Sequence, residues 1–590
     1  MRKATLVSLA VAACVIAVAS GCTTKSARPT SRVEQKPIRF AIISDRTGGH
    51  QAGIYGQIVT EVERMKPDFV MTVGDMIEGY SEDTARVKAE WDEYVSLIEP
   101  LTMPIHFTPG NHDIWDSTSQ ILYERYAGDP YYSFTVDGTH FIVLDVARFD
   151  TVGAFPSAQM DWLIEDLEEN RDASNTLVFF HKPFWIETVA QEKPDTLHSI
   201  FSSYGVDAVF SAHYHIYFAG EFDGVKYTTV GSSGGQTSPG PTGLMYHFAW
   251  VTVDDAGMSI APIRMDAVLP WDELSAAEYL LTRQASYQSI RTSRASVTND
   301  LKIPETVLTV SIENLNKEFA VDDTLRWEIP EGWSLTPAMT PVNIAPSEIH
   351  TSELTVECVG PLYPVPTASI QYSFREDKRF KVEHGLSPSR TTYAHQTSAP
   401  PVIDGRLGDA AWRESVTEFF APDGSSSAKT DPVSFFFAWD AENLYLAARC
   451  TDSEVQSIAA TATEHDGAVY GEDCVGYFFQ PNTDDGPIYQ IYFNPLGIAF
   501  DQRFPVKDKT PVAIEREWNG TYEVATSRDK DSWSIEARIP VNQLGVEMNS
   551  GDAWGMNFRR KQKRLNTTAD WLVPIGYDPE TYGLLVLKSG

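Results

Sequence analysis

From residue 38 to about residue 265, short apolar runs alternate with segments of helical spacing. Arg39–Asp45, Asp68–Asp75, Pro104–Asp113, Thr176–His181 and Val206–His215 are rich in β-branched and aromatic residues. Runs of that length and composition predict buried strands. Between them, Gly53–Met65 and Thr84–Ile98 repeat apolar residues every three to four positions and predict helices, and Pro156–Glu168 predicts a third. Tyr131–Val136 and Thr139–Asp145 flank Asp137-Gly138, a hairpin signal. Strand and helix in alternation predict an α/β layout.

The ends of the strand-like runs carry the chemistry. They close on Asp45, Asp75, Asn111-His112-Asp113, His181 and the pair His213 and His215. In an α/β fold the carboxyl ends of neighbouring strands meet at one edge of the sheet, so these side chains are expected to converge. Gly110-Asn111-His112-Asp113 alone also reads as a polar turn; its recurrence as one of five similar endings favours a metal site. Asn, Asp and His together suit Mn, Fe or Zn, whereas Ca would want more oxygens. His106 and His140 lie inside strand patterns and read as structural. The loop Gly231–Gly235 follows Tyr227–Val230 and could lie near the site.

These blocks, in this order, resemble the calcineurin-like metallophosphoesterase superfamily over residues 38–265. Its pattern is Asp-x-His, Gly-Asp, Gly-Asn-His-Asp/Glu, a lone His, then Gly-His-x-His, against Asp45, Gly74-Asp75, Gly110-Asn111-His112-Asp113, His181 and His213-Tyr214-His215 here. The resemblance implies two divalent metal ions bridged by Asp75. Asn111, His181 and His213 would complete one site, Asp45 and His215 would serve the other, and His112 would act as the acid. It implies hydrolysis of a phosphate mono- or diester by attack of a metal-bridging hydroxide, with a protonated His112 donating to the leaving oxygen.

This sequence departs from the pattern twice. Ala212 replaces the glycine before His213, and Asp-x-His reads Asp45-Arg46-Thr47. The second departure removes an imidazole from the first site. His50 could replace it, because Gly48-Gly49 lets the loop fold back. Arg46, always charged and fork-shaped, could face the substrate phosphate.

After an amphipathic segment at Trp271–Ile290, the chain from Thr306 alternates apolar and polar residues in Val307–Ile312, Leu325–Ile329 and Ala368–Phe374, with no intervening helix. That predicts a small β-sandwich, similar to immunoglobulin-like spacers through Trp327-Glu328-Ile329-Pro330-Glu331-Gly332-Trp333. From Pro400, Val402-Ile403-Asp404-Gly405-Arg406-Leu407-Gly408-Asp409-Ala410-Ala411-Trp412 opens a third domain. With Asn443–Leu446, Glu472-Asp473, Trp533–Pro540 and Trp554–Arg560, it resembles the family 9 carbohydrate-binding modules, β-sandwiches that grip sugars between aromatic faces. Stacking of indole and phenol rings on a pyranose fits that use, and Trp518, Tyr477 and Trp571 are the candidate contacts.

Arg2 and Lys3, an apolar run to Val18 and then Ala19-Ser20-Gly21-Cys22 resemble a bacterial lipoprotein signal. The run is shorter than a spanning helix prefers, which favours export and cleavage. Cys22 would become the lipidated membrane anchor. Thr23 rather than Asp after it suggests the outer membrane, and Thr23–Lys36 reads as a tether. With 47 basic against 81 acidic residues and a net charge of -34, no nucleic-acid partner is expected. Beyond Cys14 and Cys22 only Cys358, Cys450 and Cys474 remain, without zinc-site spacing. Cys450 and Cys474 could pair, although buried free thiols are the default.

The expected architecture is therefore multidomain, an α/β metallophosphoesterase sandwich followed by two all-β sandwiches. Its expected divisions are a signal peptide over 1–21, a tether over 22–37, the metallophosphoesterase over 38–265, a helical connector over 266–300, the spacer over 301–395 and the carbohydrate-binding-like domain over 396–590. The expected protein is an exported cell-envelope lipoprotein whose head hydrolyses a phosphate ester and whose tail binds glycan. The alternative is a catalytically inactive glycan-binding lipoprotein that keeps the fold, and Thr47 is its best support.

Overall fold

The structure is a computed structural model. It describes residues 37–590 except 82, 255, 265–266, 377, 413, 426–429, 482, 484–485, 508–509 and 512–513, and describes the backbone alone at 507, 510 and 511. The lipoprotein signal and Cys22 lie outside the described residues. The chain divides into two compact units. The first ends at Glu273 and the second begins at Leu274, with residues 241–243 grouped in the second.

The first unit contains β1 (Ile38–Ile43), α1 (Ile54–Met65), β2 (Phe69–Thr72), α2 (Thr84–Ile98), β3 (Ile105–His106), α3 (Ser117–Ala127), β4 (Tyr132–Val136), β5 (Thr139–Val143), α4 (Ser157–Glu169), β6 (Asn175–Phe179), α5 (Thr196–Tyr204), β7 (Ala208–Ser211), β8 (Phe218–Phe222), β9 (Val225–Thr229), β10 (His247–Asp254), β11 (Gly257–Arg264) and β12 (Ala267–Val268). They form two six-stranded sheets, β12-β11-β10-β1-β2-β3 and β4-β5-β6-β7-β9-β8. The pairs β1–β2, β2–β3, β5–β6, β6–β7 and β7–β9 are parallel.

Every residue of β2, β5 and β7 is buried, which is why these runs lack polar alternation: each strand is covered on both faces. Between the sheets, Phe40 stacks on Phe69 at 5.1 Å and meets Phe141, Phe179 and Phe210 edge-on. Each such side chain contributes roughly 1.5–3 kcal/mol by burial. On the outer face of the first sheet, Ala41, Ile43 and Val70 pack with Ile58 and Val62 of α1 and Trp91 and Tyr94 of α2. The α2 helix starts where Asp83 accepts from the backbone N–H groups of Ala85 and Arg86.

The second unit begins with a helix over Ala276–Gln288, capped by the reciprocal pair Ser275 and Glu278. Glu278 also holds Arg375 at 2.7 Å, and strand Ile290–Thr292 pairs with Ile303–Glu313. Residues expected as a connector are thus built into the β-rich unit from Leu274 onward. Two four-stranded sheets follow. One joins Ile290–Thr292, Ile303–Glu313, Ile349–Cys358 and Trp333–Thr336; the other joins Met339–Ile344, Val321–Glu328, Thr367–Ser373 and Arg379–Gly385.

Most strands of the remaining chain form a twelve-stranded sheet. Strands Val433–Trp439 and Cys474–Gln480 are not neighbours in its order, yet Phe435 meets Tyr477 at 5.5 Å. The sheet must therefore curl over and enclose its own core. The opening segment of this domain is pinned by one carboxylate. Buried Glu536 accepts from the backbone N–H groups of Asp404, Gly405 and Leu407 and from the indole of Trp412 at 2.7–3.0 Å. Glu536→Ala would strand four donors and is expected to destabilise this unit by on the order of 3 kcal/mol or more. Calorimetry checks this: the second unit should melt earlier while the first is unchanged.

Cys358, Cys450 and Cys474 are buried free thiols, so Cys450 and Cys474 are not bridged. Among the described residues no helix is long and apolar enough to cross a membrane.

Candidate metal centre

The parallel strands of both sheets deliver their exits to one place. Asp45 follows β1, Asp75 follows β2, Asn111 follows β3, His181 follows β6, and His213 and His215 follow β7. Two groups of ligand atoms lie within 4.8 Å of one another, Asp75 with His181 and His213, and Asp45 with Asp75 and His215. Asp75 belongs to both. Its Oδ2 lies 3.1 Å from His181 Nε2, and Asp45 Oδ1 lies 3.3 Å from His215 Nε2.

Backbone geometry is spent on this convergence. Asp75, His213 and His215 all adopt left-handed φ, at 59°, 75° and 56°, a conformation that costs a non-glycine residue on the order of 1 kcal/mol or more. Gly74 and Gly110 permit the close approach. A Cβ at Gly74 would fall 2.5 Å from His181 Nδ1, and one at Gly110 would fall 2.2 Å from Asp75 Oδ1.

Asp113, named in the motif but given no role there, holds the loops in register. Its buried carboxylate accepts from the N–H groups of Asp75, Met76 and Gly110, each at 2.8 Å. Burial, reinforced by the neighbouring Asp75, pushes its pKa up to about 7. The loop Gly231–Gly235 also reaches the site, because the N–H groups of Ser233 and Gly235 both donate to the Asp45 carbonyl at 3.1 Å.

The imidazoles are aimed by their other nitrogens. His181 Nδ1 donates to the Val73 carbonyl at 2.7 Å and His215 Nδ1 to that of Gln236 at 2.5 Å, leaving both Nε2 atoms toward the carboxylates. Burial alone would lower both pKa values, but Asp75 raises His181 to about 9 and Asp45 raises His215 to about 9. His213 goes the other way, to about 4, through burial and the neighbouring His181. Burial pushes Asp75 up, but His181 and His112 outweigh it and hold the carboxyl below its usual range.

The residues fit divalent ions by a direct observation. Asp45 Oδ1 and Asn111 Oδ1 are buried acceptors with no hydrogen-bond partner, a costly state that a cation would relieve. Asp45 lies among imidazole nitrogens and carboxylates, the donor set of a borderline metal.

His112 sits against this cluster without joining it. Its N–H donates to Asp75 Oδ1 at 2.9 Å, and its Nδ1 donates to the Glu78 carbonyl at 2.7 Å, which leaves Nε2 for other work.

Two sequence candidates lie elsewhere. Arg46 does not face the site: it is buried, with Nη2 2.6 Å from Glu93 of α2 and Nη1 donating to the Met76 carbonyl. The turn after β1 directs it outward as a brace between strand and helix. His50 does not join the ligand groups found among the described residues. Its Nδ1 meets Glu78 Oε1 at 2.8 Å. Burial raises Glu78, but the hydrogen bonds of His50 outweigh it and lower its pKa to about 2, so the pair holds the loop. Thr47 is buried, and a Cβ on Gly235 would fall 2.0 Å from its carbonyl oxygen, so the loop backbones close over it.

In the C-terminal domain, Tyr477 and Trp571 are each only 1% exposed. Tyr477 packs against Phe435, and Trp571 stacks on Phe558 at 4.8 Å; neither offers a face to a sugar. Trp518 is half-buried against Tyr489. Among the described residues of this domain the exposed tyrosines are Tyr470 and Tyr577, at 49% and 41%, neither of them a sequence candidate. They pack on Phe500 and Phe504 of one strand, Ala499–Phe504.

Comparison with known proteins assigns both ends of the chain. Residues 38–217 match the calcineurin-like phosphoesterase family, and residues 403–589 match the carbohydrate family 9 binding domain-like family. The human serine/threonine-protein phosphatase CPPED1 is 28% identical over 198 residues, which are 30% of this chain and 63% of that protein. The match thus spans less than two thirds of that relative. A dimetal phosphatase from Danio rerio is 13% identical with a TM-score of 0.29, covering 38% of this chain and 98% of that one. A family 9 carbohydrate binding module from Caldicellulosiruptor kristjanssonii, solved with cellotriose, is 19% identical with a TM-score of 0.26, covering 34% and 94%.

Proposed function

We propose that this chain, which carries a calcineurin-like phosphoesterase domain over residues 38–217 and a carbohydrate family 9 binding domain-like region over residues 403–589, hydrolyses phosphate mono- or diesters at its N-terminal centre. The observation that carries the reading is the sharing of Asp75 between two ligand groups, together with the buried oxygens of Asp45 and Asn111 that accept no hydrogen bond. Asn111, His181, His213 and Asp75 would hold one ion, and Asp45, His215 and Asp75 the other. Two divalent ions supply charge screening of the phosphate and a lowered pKa for water. His112, oriented by the Glu78 carbonyl, presents Nε2 to the leaving oxygen as proton donor. Mn, Fe and Zn all suit this donor set.

The C-terminal domain would bind glycan, with the exposed rings of Tyr470 and Tyr577 as contacts. Export as a lipoprotein anchored through Cys22 to the cell envelope, at an outer membrane, belongs to the same proposal. The second reading, an inactive glycan-binding protein, draws on Thr47, where the family pattern has His.

The test is hydrolysis of a panel of aryl and alkyl phosphomonoesters and diesters by the protein from residue 37 onward, with Mn supplied and then chelated. Turnover that vanishes with chelation is expected. No turnover of any ester with Mn supplied would favour the inactive reading.

A further inference from the structure

The turn after Asp75 contains a residue that touches both Asn111 and His112. Gly79 and Tyr80 are successive left-handed residues, with φ of 58° and 48°. The Gly79 N–H donates to Glu90 of α2 at 2.9 Å. A Cβ at Gly79 would fall 1.9 Å from the His112 carbonyl oxygen and 2.8 Å from the Trp115 ring, so this turn lies directly on the loop carrying Asn111 and His112. Tyr80 is delivered there in a conformation that a β-carbon disfavours.

Its two ends do different things. Asn111 Nδ2 donates to the Tyr80 hydroxyl oxygen at 3.1 Å, while Asn111 Oδ1 is buried with no hydrogen-bond partner. An amide can offer a cation only its oxygen, and its NH₂ then needs an acceptor on the opposite side. The Tyr80 oxygen is that acceptor. The ring of Tyr80 meets the His112 imidazole edge-on, with centroids 4.9 Å apart and planes at 74°, and is backed by Trp115 at 5.6 Å. Together with the Glu78 carbonyl on Nδ1, it fixes the plane in which the imidazole lies.

We propose that Tyr80 is a positioning residue of this centre, its hydroxyl holding Asn111 in the metal-ligating orientation and its ring holding His112 in the plane from which it delivers a proton. The first half rests on metal binding alone; the second rests on the phosphoesterase reading above. The two halves separate by substitution. Tyr80→Phe removes the hydroxyl and keeps the ring, and Tyr80→Ala removes both. Tyr80 is 56% exposed, so both variants are expected to fold, and an unchanged melting temperature of the metal-free protein verifies it.

The experiment is calorimetric titration of metal-free protein with Mn, followed by ester hydrolysis at saturating Mn. Tyr80→Phe is expected to weaken the tighter Mn site about 10–100-fold, the range for loss of a group that orients a ligand. Tyr80→Ala is expected to weaken Mn equally and to lower kcat at saturating Mn further than Tyr80→Phe does. Unchanged Mn affinity in Tyr80→Phe would overturn the role of the hydroxyl, whatever the hydrolysis. Equal kcat in Tyr80→Ala and Tyr80→Phe would overturn the role of the ring. If wild type binds Mn and turns over no ester, the phosphoesterase reading fails while the affinity comparison still decides the hydroxyl.

Discussion

Asp75→Asn is expected to empty both metal sites and to lower ester hydrolysis by about 10³-fold or more. The variant keeps the shape of the side chain and removes the charge that both ligand groups share. Its effect on the metal-free protein is equally specific. Burial lowers His181, and Asp75 is the largest of the groups that raise it to about 9 against that burial. Without Asp75 the His181 imidazole should titrate below its wild-type value. NMR titration of the ring protons checks this. A His181 pKa still near about 9 would mean that another group supplies the charge.

His112→Gln should separate catalysis from metal binding. The side chain belongs to neither ligand group, and the bond from its backbone N–H to Asp75 survives the substitution. Metal content should stay near wild type while kcat falls about 10²–10⁴-fold, the range for losing a general acid. The loss should be smaller for esters whose alcohol is acidic enough to leave unprotonated, so a nitrophenyl ester should suffer less than an alkyl ester. Loss of metal in this variant would make His112 a ligand rather than a proton donor.

The fold of the first unit was legible because its strands are buried on both faces. Continuous apolar runs therefore stand out, and each ends where a sheet edge must present polar groups. Thr84–Ile98 agrees with α2 to the residue because Asp83 caps it. α3 and α5 were not read. Asp116 and Asp195 cap them as Asp83 caps α2, but each buries only two side chains, Ser119 and Tyr123 in α3 and Leu197 and Phe201 in α5, too few to show a helical period.

At the centre, sequence order identified the six side chains that end the strands, but not what holds them. Asp113 works through backbone N–H groups, which leave no trace in residue type. Arg46 adjoins a ligand in sequence and faces Glu93 in space, because the backbone N–H groups of Arg46 and Thr47 both turn in to the Asp75 carbonyl. Tyr477 and Trp571 were misread for a related reason. A sheet that curls around its own core buries aromatics on its strands, as Tyr477, and just beyond them, as Trp571, so alternation cannot tell which ring meets solvent.

The central claim is that Asp75 organises a centre for two ions. Elemental analysis of metal per chain, on protein from residue 37 onward dialysed against excess Mn, tests it most directly. About two ions per wild-type chain are expected, and none in Asp75→Asn. One ion or none in wild type, or a count that Asp75→Asn leaves unchanged, would contradict it.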